Sequence, residues 1–223
     1  MRLGDVIWLA GLGGIVLLLL MPETNIVFVA ISKAHPYALG FVKFALLATM
    51  GELLALRIVA GVWKQPPGLV WRAAVWGFLG IVIVLVFDVF GSGVTSAVKK
   101  GLLPVGDGET ARVMTAFWIS TLLNLVFAPT MMAFHRITDT YLDLAGGDLA
   151  KIRGVSLCNV VSHIDWQGFI SFVLVTTIPL FWIPAHTITF LLPPEYRVIM
   201  AAFLSIALGA ILAFAKRRPA LRV

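Results

Sequence analysis

Residues 73–96 read AAVWGFLGIVIVLVFDVFGSGVTS. A bilayer core roughly 30 Å thick takes about 20 apolar residues of helix, and this run supplies them. Comparable runs lie near 6–21, 37–60, 113–132, 166–183 and 196–215. Helix punctuation separates them: Met21-Pro22, Pro36, Pro66-Pro67, the stretch from Pro104 to Gly108, Gly146-Gly147 and Pro193-Pro194. The chain of 223 residues is 60% hydrophobic and 13% charged, with a mean hydropathy of +0.99. That is far above an ordinary soluble domain. The fold class expected is all-α, a polytopic helical membrane bundle of about six transmembrane helices forming a single domain over 1–223.

The net charge of +6 does not point to nucleic acid, because the Lys and Arg residues sit at span ends and in loops. Counted on alternating sides, Arg2, Arg57, Lys64, Arg72, Arg136, Lys151, Arg153, Lys216, Arg217, Arg218 and Arg222 fall on one face. Lys33, Lys43, Lys99, Lys100, Arg112 and Arg197 fall on the other. The positive-inside rule places both termini inside, in a bacterial cytoplasmic membrane or, in a eukaryote, an organelle membrane. The opening stretch is read as an uncleaved span, since Asp5 flanks it and no A-x-A site follows. Cys158, the single cysteine, excludes an internal disulfide and any multi-cysteine metal site.

Polar residues within spans are expected to face other helices. At 100° per residue, Ala38, Ala45, Thr49 and Glu52 share a face of the second span, and Ala73, Gly77, Val84, Asp88 and Thr95 a face of the third. Ser120, Thr121, Asn124 and Ala128 share a face of the fourth, which His135 and Asp139 extend if the helix persists past Pro129. Glu52, Asp88, Asn124 and Lys43 are thus the bundle-interior or pathway candidates. Antiparallel neighbours predict that Glu52 approaches Asn124 and that Lys43 pairs with Asp88.

The stretch AHPYALGFVKFALLATMGE, Ala34 to Glu52, opens on His35-Pro36 and closes on Gly51-Glu52. It resembles the Mpv-seventeen and peroxisomal membrane protein (twenty-two kilodalton) family, whose first core helix has Gly-Asp at that spacing. Here Glu52 replaces the aspartate, and Leu56 stands where the family has glutamine. PTMMAFHRITD, with Pro129, Phe134, His135 and Asp139, resembles a second family block. FWIPAHTITFLLPPEYR, with Trp182, Pro184, Phe190, Pro193 and Arg197, resembles a third at looser spacing. The likeness covers roughly 34–215 and leaves 1–33 as an added span and connector and 216–223 as a basic tail. It implies a small helical membrane protein of the kind proposed to act as a poorly selective channel. A bacterial-type or divergent member is the form it suggests.

Enzyme signals are weak. His135 and Asp139 have three intervening residues, not the four of glycerolipid acyltransferases, and an interfacial contact explains them better. Asp165 in SHIDWQ suits a helix cap with Trp166 as an interfacial anchor. A metal held by His163, Asp165 and His186 needs distant loops to converge. No Walker loop, dinucleotide-binding glycine motif, Gly-x-Ser-x-Gly or His-Glu-x-x-His occurs. No catalytic residue, cofactor or metal is expected, and the expected partners are the lipid bilayer and ions or small solutes, with self-association compatible. The function expected is a helical channel or transporter-like protein; the alternatives are a non-conducting scaffold whose basic tail contacts anionic lipid and, third, a membrane-embedded acyl or phospho-transfer enzyme.

Overall fold

A computed structural model describes residues 2–217, and these form helices with no strand among the described residues. Side chains of 212 and 214–217 and the whole of 218–223 are not described, so the basic tail lies outside the account. The long helices are α1 (Leu3–Leu20), α3 (Pro36–Ala60), α4 (Leu69–Lys99), α5 (Gly108–Val126), α6 (Ala128–Leu144) and α11 (Pro194–Arg217). α2 (Pro22–Ala34) links the first two. Short helices α7 (Leu149–Ile152), α8 (Leu157–His163) and α9 (Trp166–Gly168) lead into a π-helical segment, Phe169–Trp182, and then α10 (Ile183–Leu191). Five helical stretches are long and apolar enough to span a bilayer, and the α5 and α6 pair, bent by 43°, makes a sixth if counted as one. The helical membrane bundle expected from the sequence is therefore present.

Proline and glycine set the boundaries. Pro36, Pro129, Pro184 and Pro194 stand in first turns, where a missing N–H costs nothing. At Phe127 the helix breaks and the chain bends by 43° into α6, so Asn124 and Asp139 stand on successive helices. Pro184 does not end its helix: Trp166–Leu191 runs on as one span, the wide π winding giving way to α at Ile183. The break comes at Leu192-Pro193, where Leu192 is extended and α11 begins at the next residue.

The central packing is α3 on α4, α3 on α11, and α5 on α10. Without hydrophobic contrast between lipid and helix, such contacts depend on close backbone approach at small residues. At Gly40 and Gly80 the α3 and α4 backbones touch: a Cβ at Gly40 would lie 2.8 Å from the Gly80 carbonyl oxygen. At the start of α4, Gly147 packs directly on the Gly68 backbone, and both take positive φ, 79° and 68°. This second contact brings the end of α6 to the start of α4.

α1 has no buried residue and clasps the bundle from outside. Trp8 Nε1 donates to the Met50 carbonyl (3.0 Å), and Asp5 accepts from Arg57 Nε and Trp63 Nε1, both at 2.9 Å. Asp5 thus places the start of α1 beside the end of α3. Gly209 faces the Gly51 carbonyl and Ala55, which brings the later part of α11 to the same end. The bundle therefore has two distinct ends. One carries the 61–68 loop and α6 to α9; the other carries α2 and the starts of α3, α5 and α11.

Candidate functional site: a basic cleft above a sealed bundle end

At the second end a cleft of about 1170 Å³ opens between α2, α3, α4, α5 and α11. Lys33, Lys43, Lys99, Arg112 and Arg197 line it, against Asp88 and Glu195. Two of these charges pair: Lys33 Nζ lies 2.9 Å from Glu195 Oε1. Arg112 pairs with Glu109 at 3.1 Å, an exposed contact of small value.

Lys43 differs from the other cations because it is only 7% exposed. Its ammonium donates to Ser32 Oγ (2.9 Å) and lies 4.5 Å from the centroid of the Phe28 ring. No carboxylate among the described residues lies within ion-pair reach of it. A hydroxyl and an aromatic face hold the position, and of three N–H donors one is committed. The expected Lys43–Asp88 pair is not formed. Asp88 is exposed on the cleft wall, not in the packed interior.

Beneath the cleft floor the bundle is close-packed. Leu47, Ala48, Ile83 and Leu123 are buried there, with Asn124 and Ser120 fully enclosed. Asn124 Nδ2 lies 3.0 Å from His186 Nδ1, and Ser120 Oγ donates to the Ile183 carbonyl (2.7 Å). Trp182 stacks on His186 at 5.1 Å, and the Phe87 ring meets it edge-on at 5.7 Å. Trp182 is thus a buried packing residue. Asn124 does not approach Glu52, because α5 packs on α10 while α3 packs on α4 and α11.

Glu52 belongs to the other end, in a cluster around Arg72. Arg72 stands in the first turn of α4 and is 4% exposed. Its Nη1 donates to Glu52 Oε1 (2.8 Å) and lies 3.0 Å from Asp139 Oδ1; its Nη2 donates to Asp143 Oδ1 (2.6 Å). Nε donates to the Pro67 carbonyl at 3.0 Å. The planar fork of the guanidinium suits this, since its donors diverge in fixed directions. One side chain therefore ties α3, α4, α6 and the 61–68 loop together. His135 Nδ1 is 3.6 Å from Asp139 Oδ2, too far for a hydrogen bond, and the His135 ring packs tilted against Trp76, centroids 4.0 Å apart. Glu52 Oε2 and His135 Nε2 make no hydrogen bond among the described residues.

The other motif residues fall in packing roles. Pro36 starts α3 after an exposed His35, and Gly51 meets the Ile206 backbone. Phe134 packs near Phe78 at 6.0 Å, and Phe190 lies 4.9 Å from Phe87. Pro193 breaks the chain before α11, where Arg197 Nε donates to the Leu192 carbonyl (3.0 Å) with its guanidinium 5.6 Å from the Phe190 centroid. Asp165 caps α9 through the Gly168 N–H (2.9 Å), as expected. His163 lies with it in the exposed segment, while His186 is buried against Asn124, so the three do not converge.

Arg72 and Asp143 were not among the sequence candidates. Arg72 stands one residue outside the apolar run and counts there as a topological cation. A signal was nonetheless present: Arg72 leads Trp76, Leu79, Ile83 and Phe87 at helical spacing, and His135, Asp139 and Asp143 repeat every four residues. Comparison with protein-family models, with curated proteins and with solved structures finds no match for this chain.

Proposed function

We propose that this protein is a transporter-like membrane protein that admits small solutes through the cleft and passes them when the Arg72 end opens. The observation that carries the reading is the asymmetry of the bundle: a wide polar mouth at one end, a packed layer below it, and a clamp at the other end held by one arginine. A clamp of charges suits a gate. Its attraction offsets a large desolvation cost, so its net stabilisation is modest and two arrangements can differ little in free energy.

Of the residues named from sequence, Lys43 and Asp88 face the solute, Glu52 and Asp139 belong to the gate, and Asn124 belongs to the layer between. The positive-inside rule supports a cleft that faces away from the cytoplasm. The resemblance to the Mpv-seventeen family supports a permeability function, and on that resemblance we place this chain as a divergent relative.

Proteoliposomes test the reading. Uptake of labelled small metabolites should exceed that of protein-free vesicles and should saturate with concentration. Discrete, non-saturating conductance in planar bilayers would instead indicate an open channel. Uptake equal to that of empty vesicles would leave the scaffold as the better account.

A further inference from the structure

We infer that the cleft is a binding site for a small anion bearing a carboxylate or phosphate group, with Lys43 as its anchor. The inference rests on reading the cleft as the solute mouth and names the chemistry that mouth accepts.

Three observations support it. First, Lys43 holds a positive charge in a nearly buried position with a hydroxyl and a ring as neighbours and no carboxylate at ion-pair distance among the described residues. A buried charge without a counterion is costly, and an anion entering the cleft would supply the missing partner. Lys43 and Ser32, the hydroxyl that holds its Nζ, both line the cleft.

Second, Arg197 lies in the same cleft with Nε committed to Leu192 and its Nη donors free of hydrogen bonds among the described residues. Its planar fork is the group best shaped to grip a carboxylate or phosphate. Asp88 is the one lining acid without an ion-pair partner among the described residues, so cations outnumber acids after pairing.

Third, the distribution of charge along the chain is informative. The side that the positive-inside rule sets away from the cytoplasm carries six Lys and Arg residues, and five of them, all but Lys100, line this cleft. Lys33 and Lys99 have a second explanation in the last turns of α2 and α4, where cations complement the helix dipole. Lys43 has none: it is eight residues into α3 and buried.

The same chemistry could come from a free metabolite or from an anionic lipid headgroup. Purified full-length protein in an uncharged detergent would be titrated with inorganic phosphate and with succinate. Nanodiscs with and without phosphatidylglycerol would be compared in parallel, all read by the unfolding temperature. Phosphate or succinate should raise the unfolding temperature of the wild type, with an effect that fades as sodium chloride is added. Lys43→Met keeps the apolar stem and removes the charge, so it should fold at least as well as the wild type. It should bind the anion about tenfold or more weakly, whereas Lys43→Arg should keep binding. A Lys43-dependent shift with the soluble anions assigns a solute, and one seen with phosphatidylglycerol alone assigns a headgroup. If no anion produces a shift that Lys43→Met abolishes, the inference is overturned. Binding without flux would refute the transport reading and leave this one standing.

Discussion

Replacing Arg72 with methionine should destabilise the folded bundle by about 3 kcal/mol or more, the usual cost of removing one partner from a buried ion cluster. Glu52 and Asp139 would be left with side chains only 18% and 13% exposed and no cation in contact. Asp143 is different, being 57% exposed, so Asp143→Ala should cost under about 1 kcal/mol. Adding Glu52→Gln and Asp139→Asn to Arg72→Met should recover much of the loss, because the stranded charges are then gone. Reversible denaturation in detergent measures each step. Equal stability for wild type and Arg72→Met would mean that the cluster is well hydrated and holds nothing shut.

The second large effect is expected at Gly80. A Cβ there would fall on the Gly40 carbonyl oxygen and 2.8 Å from Phe44 Cβ, and the backbone on the far side cannot swing away as a side chain can. α3 and α4 would have to separate along their whole contact. Gly80→Ala should therefore cost about 1–3 kcal/mol, and Gly80→Leu should prevent the native pairing. Gly91 on the same helix is the control, since nothing lies within 4 Å of its added Cβ. Gly91→Ala should be neutral or stabilising by up to about 1 kcal/mol, the ordinary propensity difference in a helix. A Gly80→Ala protein as stable as Gly91→Ala would show that the helices do not approach this closely.

These residues also show what could be read from sequence. The six apolar runs were legible because spanning length is a strong constraint, and each of them overlaps a described long helix or the bent pair. The phase of the helices was harder to read. On α3 the stripe of Ala38, Ala45, Thr49 and Glu52 is the inner face the spacing predicts, yet Ala38 is exposed and Gly40, Lys43, Phe44, Leu47, Ala48 and Gly51 are the buried set. On α4 the stripe through Val84 and Asp88 is displaced by one residue, or about 100°, from the buried Ile83 and Phe87. The cause is physical: in a bilayer the outer face is as apolar as the inner one, so hydrophobic contrast does not phase the helix.

The Arg72 clamp was hidden for a different reason. Its acids come from α3 and α6, distant in sequence, and the packing of α6 on α4, with Gly147 on Gly68 and His135 against Trp76, brings them within reach. Lys43 is expected to pair with Asp88 on the neighbouring helix, whereas its ammonium donates to Ser32 on α2.

A cleft that opens at one end of the bundle and is closed at the other predicts that its walls can be labelled from one side of the membrane alone. Cys158, the chain's single cysteine, is exposed at the Arg72 end. Ser92 is exposed in the cleft. With a membrane-impermeant maleimide on oriented vesicles, Cys158 in the wild type should react from one face, and Ser92→Cys in a Cys158→Ser background from the opposite face. Reaction of Ser92→Cys at equal rates from both faces, or from the same face as Cys158, would contradict the account.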